Sequence, residues 1–147
     1  MGAFFMLKRR CPMPTVIYPP VEEALLRWSK IVGAFVGKGN YSMEKSQTIA
    51  TDKKKYARLF LMGNPTQSSS LDGSECATVL SFQTESYASG VKALSTAYEI
   101  DSKSHEAMIS MGFRRTYGPE EVANSEKSFK RIISRYSRIY TGQLLEA

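Results

Sequence analysis

The sequence has no apolar run approaching the roughly 20 residues that a membrane-crossing helix needs. It has only two cysteines, Cys11 and Cys76. Two cysteines do not make a disulfide framework, and neither has a spaced Cys or His partner of the kind a zinc site requires. A reducing, intracellular compartment is the expected setting. There is one histidine, His105, and the sequence lacks the phosphate-loop pattern G-x-x-x-x-G-K, the zinc-protease pattern H-E-x-x-H and the nucleophile pattern G-x-S-x-G. No internal repeat is visible. These absences leave no motif for an enzyme, a cofactor or a metal, and none is expected. No small-molecule substrate is inferred.

Positive charge, by contrast, is in excess. The 147 residues hold 20 Lys and Arg against 14 Asp and Glu, a net charge of +6. The excess is uneven. Residues 1–60 carry eleven bases and four acids, residues 61–100 one and four, and residues 101–147 eight and six. A basic N-terminal part beside a mildly acidic middle suits a chain with one surface turned to RNA, an acidic protein or an anionic membrane. With 42% hydrophobic and 23% charged residues the chain has an ordinary globular composition, long enough for one domain with a real core.

Residues 1–20 contain four prolines (Pro12, Pro14, Pro19, Pro20) and the cluster Lys8, Arg9 and Arg10, with no acid before Glu22. The prolines predict an extended basic arm. The apolar start is too short, and its charges follow it, for a secretory signal, and Met6 stands where the myristoylation pattern wants Ser or Thr. An organelle presequence, mitochondrial or plastid, is the targeting alternative, although arginine and serine are sparse for one.

A helix is predicted from Val21, with Pro20 opening it, Glu22 and Glu23 in its first turn, and Val21, Leu25, Trp28, Val32 and Phe35 at helical spacing until Gly37 and Gly39. Residues 38–51 read as loop or weak helix. A second helix is expected from Thr51 or Asp52 to the stop at Gly63-Asn64-Pro65, with a strand through Tyr56–Met62 as the competing assignment. Residues 64–74 are loop by composition. Leu80, Tyr87, Val91, Leu94 and Tyr98 then fit one helical stripe, interrupted by Gln83. A strand over Thr78–Phe82, followed by a helix capped by Thr84, is the alternative. Gly90 within that helix marks a close helix contact. A short helix over 102–113 carries His105, for which a surface position is the default reading.

The best-specified element is a helix from Gly118 to Gly142. Pro119 fits its first turn, Glu120 and Glu121 its positive end, and Phe129, Ile132, Ile133, Tyr136, Ile139 and Tyr140 one stripe. The fold expected is therefore all-α: an arm over 1–20 and a domain of four to five near-antiparallel helices over 21–147. The alternative is α+β, with a small sheet from 56–62 and 78–82.

Three basic groups are candidate partner- or phosphate-binding sites besides the arm's Lys8, Arg9 and Arg10: Lys53, Lys54, Lys55 and Arg58; Arg114 and Arg115; and Arg131, Arg135 and Arg138. The default for each is a solvated face, with arginine stems along apolar surface. Three lysines at a helix start, however, oppose the helix dipole.

Residues 58–100 are similar, over less than a third of the chain, to the small C-terminal domain of phycobilisome linker polypeptides. The likeness rests on Arg58-Leu59-Phe60, a Thr78–Phe82 strand and an amphipathic helix; where that family turns through Gly-Gly-Lys-Ile, this chain has Ala97-Tyr98-Glu99-Ile100. It implies a basic protein that organises other subunits without catalysis.

Three functions follow, in order. The first is a non-catalytic structural subunit of a multi-protein assembly, with other protein subunits as partners. The second is an RNA- or DNA-binding protein of ribosomal or nucleocapsid type, which requires the basic groups to share one face. The third is an enzyme built on His105, which requires that side chain in a cleft with a carboxylate.

Overall fold

A computed structural model describes residues 16–43, 54–69, 75–124 and 128–146. The chain runs α1 (Val21–Val36), β1 (Tyr41–Ser42), β2 (Lys55–Gly63), β3 (Thr66–Ser69), β4 (Glu75–Ser89), α2 (Ala93–Ser110), β5 (Arg114–Val122) and β6 (Phe129–Tyr140). The strands make one mixed sheet in the order β1-β2-β4-β6-β5, with β3 also on β4. The all-α expectation is thus overturned: the fold is α+β, with two helices among the described residues. Tyr56–Met62 and Thr78–Phe82 are strands, but in a far larger sheet than the small one considered, and those two stretches meet only at Leu61 and Phe82.

β4 is the axis. One of its edges pairs with β2 over Ser81–Ala88 and then with β3 over Glu75–Thr78; the other pairs with β6 continuously from Thr78–Tyr140 to Ser89–Phe129. All three pairings are antiparallel, and only β1 joins β2 in parallel. β5 runs antiparallel to β6 and so parallel to β4, making β4-α2-β5 a crossover with β6 inserted between its strands.

Both helices cover one face of this sheet. α1 forms as its sequence predicts and turns Ala24, Trp28, Val32 and Val36 inward. These meet Ala97, Ile100, Ala107 and Met108 of α2 in a core with Ala57, Leu59, Leu80, Phe82, Ile132 and Tyr136. Trp28 Nε1 donates to Ser104 Oγ at 3.1 Å, so the indole is buried without an orphaned N–H. α2 is longer than the short helix expected over 102–113. It ends in a Schellman motif: Phe113 N donates to Met108 O and Gly112 N to Ile109 O, with Gly112 at φ +82°. Gly90, at φ +102° with open space around it, is a turn before α2 and not a helix contact.

The helix expected over 118–142 is instead β5 and β6. In β6 successive residues alternate between faces. Lys130, Ile132, Ser134, Tyr136, Arg138 and Tyr140 lie on the helix side, and Phe129, Arg131, Ile133, Arg135, Ser137 and Ile139 on the other. Apolar residues occur on both sides, so the period of two is obscured and a helical stripe can be drawn through them. Ile and Tyr also favour strands. Pro119 follows a cis peptide in edge strand β5, among register shifts, where a missing N–H is tolerated. Lys55–Gly63 is strand for the same reason: Ala57, Leu59 and Leu61 face the helices, while Tyr56, Arg58 and Phe60 face away. No helix among the described residues is long and apolar enough to cross a membrane.

Candidate functional site

The sheet face turned away from the helices carries most of the chain's interesting side chains. Arg58 on β2 stands opposite Glu85 on β4, and Tyr56 opposite Tyr87, which in turn faces Arg131 on β6. At the centre is Glu85, only 2% exposed. Its carboxylate accepts hydrogen bonds from Arg131 Nη2, from the Tyr87 hydroxyl at 2.5 Å and from Gln83 Nε2 at 3.0 Å, with Arg58 Nη1 at 4.0 Å. Two guanidiniums thus face this one carboxylate. Arg58 also sits beside the rings of Tyr56 and Tyr87, 5.9 and 5.4 Å from their centroids. Burial and the bond to Glu85 push the Tyr87 hydroxyl well above the usual tyrosine value. Tyr56, Tyr87 and Phe129 form a small second core on this face.

Next to it, Arg135 Nε donates to Gln83 Oε1 at 3.0 Å, and its guanidinium lies 4.9 Å from the Tyr117 ring centroid. Gln83 thus bridges Glu85 to Arg135. Met62, Tyr117 and Ile139 are exposed on this face.

The remaining candidates scatter. Arg115 is on the helix side, bonded to Asp101 Oδ2 at 3.0 Å. Arg138 Nη1 donates to the carbonyls of Met111 at 2.5 Å and Glu146 at 3.1 Å, fastening the C-terminal segment over the end of α2. Arg114 is exposed at the start of β5. Lys54 is exposed, whereas Lys55 Nζ donates to Phe35 O at 3.1 Å and lies 4.5 Å from the Phe35 ring. With the segment in a strand, the argument that its lysines oppose a helix dipole no longer applies. Lys8, Arg9, Arg10 and Lys53 lie outside the described residues. Arg58, Arg131 and Arg135 are therefore brought together, Arg115 is not, and Arg114 and Arg138 both line a separate groove.

His105 has a more specific position than a surface default. Tyr136 O–H accepts from Arg115 Nε (3.3 Å) and Nη2 (3.0 Å), so its own proton goes to His105 Nδ1, 3.1 Å away. Nδ1 is then an acceptor, and the neutral ring carries its proton on Nε2. Asp101, 3% exposed, closes the network by accepting from Ser134 Oγ at 2.7 Å and from Arg115. Partial burial first, and the Arg115 charge second, hold the imidazole below the ordinary histidine value; Asp101 pulls it the other way.

Glu85, Gln83, Tyr87 and Asp101 were not singled out from the sequence. The alternation Gln83-x-Glu85-x-Tyr87 is the signal that could have found three of them. Among the described residues no three His, Cys, Asp or Glu side chains gather as a metal site needs.

No family model matches the chain, and no curated protein matches it. The strand considered over Thr78–Phe82 continues to Ser89, and the helix after it begins at Ala93 and not behind a Thr84 cap.

Two surface grooves lie among the described residues. One, of about 580 Å³ along α1, carries Glu22, Glu23, Arg27 and Lys30 among its lining residues and balances its own charge. The other, of about 440 Å³, is lined by Val79, Gly112, Arg114, Ser137, Arg138 and Ile139.

Proposed function

We propose that this chain is a non-catalytic structural subunit of a larger multi-protein complex, and that it docks through the sheet face turned away from its helices. The observation that carries this reading is the state of the arginines there. Arg131 and Arg135 are held in internal bonds to Glu85 and Gln83, and Arg58 stands against Glu85, beside exposed Met62, Tyr117 and Ile139. Rigid arginines and tyrosines next to apolar side chains are what protein–protein interfaces enrich. A phosphate-gripping surface needs guanidiniums free to exchange counterions for phosphates. The nucleic-acid alternative also needs the basic groups on one face, and Arg115 and Arg138 are on the other. A catalytic role for His105 is disfavoured because its Nδ1 is engaged by the Tyr136 hydroxyl and not by a nucleophile.

The test is size and absorbance of the protein purified gently from its source, with and without nuclease. We expect a nuclease-resistant protein particle far larger than the 16.5 kDa chain. A nuclease-sensitive particle with high absorbance at 260 nm would establish the nucleic-acid reading instead, and a lone monomer would defeat both.

A further inference from the structure

The groove lined by Arg114 and Arg138 differs from the other arginine sites among the described residues. Arg58 and Arg131 share Glu85, Arg115 has Asp101, Arg27 has Glu23, and Arg135 has Gln83 and Tyr117. Among the described residues Arg138 donates to carbonyl oxygens, those of Met111, Ile139 and Glu146. Arg114, exposed, makes no ion pair with a described carboxylate. Two guanidiniums therefore line one groove without a countercharge from any described residue. The carbonyls at the end of α2 fix the direction of Arg138, since a helix C-terminus attracts a cation. Val79 and Ile139, cross-strand neighbours on β4 and β6, supply an apolar surface, and Ile139 is 53% exposed.

We propose that this groove binds an acidic segment of a partner protein. Carboxylates of that segment pair with Arg114 and Arg138, and an adjacent aliphatic side chain covers Val79 and Ile139. The proposal rests on the subunit reading above and names the chemistry of the partner. The groove favours peptide over nucleic acid because no aromatic ring lines it, and single-stranded nucleic acid is held largely by stacking on rings. Arg138 and Ile139 are successive residues on opposite faces of β6, so a segment along this edge that alternates acidic and aliphatic residues turns one kind to each.

The experiment is a titration of the isotopically labelled full chain with the synthetic peptide acetyl-Glu-Leu-Glu-Leu-Glu-amide, followed by amide NMR, with an oligouridylate run in parallel. Saturating shifts are expected at Val79, Gly112, Arg114, Ser137 and Ile139. Arg114→Glu, at an exposed position, should leave the rest of the spectrum unchanged and weaken binding by roughly tenfold or more. The proposal is overturned by absence of shifts at millimolar peptide, by shifts elsewhere, by an unaffected R114E, or by oligouridylate occupying the groove in preference to peptide. A chain that is monomeric from its source yet binds the peptide removes the subunit reading and keeps the groove; a chain in a particle whose groove ignores the peptide does the reverse.

Discussion

Replacing Glu85 with alanine should be among the most damaging single changes in this protein. The carboxylate is almost wholly buried and accepts from Arg131, Tyr87 and Gln83, with Arg58 at 4.0 Å. Hydrogen bonds to a charged group contribute about 1.5–3 kcal/mol each, but removal has a second effect: it takes from Arg131 the carboxylate to which it is bonded, and from Arg58 the one 4.0 Å away. Breaking a buried pair in this way costs about 3–5 kcal/mol. The Arg58 side chain is 9% exposed and cannot recover its hydration, whereas that of Arg131 is 28% exposed and partly can. The lower half of the range, about 3–4 kcal/mol, is therefore expected. For a chain of this size that corresponds to a Tm lower by roughly 10 °C. The assay is urea unfolding followed by the fluorescence of Trp28, the only tryptophan and fully buried. The midpoint should fall with an unchanged slope. Glu85→Gln, which keeps an acceptor and loses the charge, should fall less far. The double variant E85A/R131A should lose little beyond E85A, because the two residues are coupled. Ultraviolet titration offers an independent readout: without Glu85 the Tyr87 hydroxyl should titrate closer to an ordinary tyrosine, burial alone keeping it raised. A loss below about 1 kcal/mol for E85A would refute the account, since no desolvated pair can be broken so lightly.

Gly112→Ala should destabilise by about 2 kcal/mol or more. Its φ of +82° alone costs about 1–2 kcal/mol, and the added Cβ would stand 2.7 Å from Arg138 Nη1 and against the Glu146 carbonyl. Gly39→Ala, at the same φ with open space, is the control and should show only the backbone cost; equal melting shifts for the two would show that the C-terminal segment does not cross the end of α2. His105 predicts a pH dependence. Its folded-state value lies below the ordinary 6.5, so just below that pH the unfolded chain binds more protons than the folded one. Its contribution is full above pH 6.5 and is lost as the pH falls through the lowered folded value. The groups facing it are Tyr136 and, beyond that hydroxyl, Arg115 and Asp101. His105→Gln should flatten this part of the urea-midpoint profile; an unchanged profile would detach His105 from the network.

α1 was legible because its signals are local: Pro20 before it, Glu22 and Glu23 in its first turn, apolar residues at helical spacing, Gly37 after it. β4 was not, because its helix-facing positions mix Thr78, Thr84 and Ser86 with Leu80, Phe82 and Ala88, while the opposite positions hold Gln83, Glu85 and Tyr87, which are also buried. Both sets are buried and both contain polar groups, so alternation of hydrophobicity vanishes although alternation of side remains. β6 misled for the related reason that its isoleucines and tyrosines fall on both faces. The candidate site was legible as a class: arginines interleaved with tyrosines do collect on a surface. Their partners were not legible, because Arg131 meets Glu85 from 46 residues away and only the strand register brings them together. Equally, nothing local to Arg115 indicates that it turns inward to Asp101 while its neighbour Arg114 stays outside.

The two-edged pairing of β4 has a consequence for how the chain must be made. On a ribosome the N-terminal part emerges first, so β2 and β3 can close one edge of β4 as soon as residues up to Ser89 are out. The other edge must wait for β6, with α2 and β5 synthesised in between. Throughout that interval a long strand presents an unpaired row of backbone donors and acceptors, the template that other nascent chains can extend. The helix that follows β4 immediately can shield its inner face, through Ala97 and Ile100 against Leu80 and Phe82, but it cannot cap the edge. β6 is therefore the strand that ends the exposure of this edge to misassembly, and a stall between Ser110 and Phe129 would be a hazardous pause in synthesis.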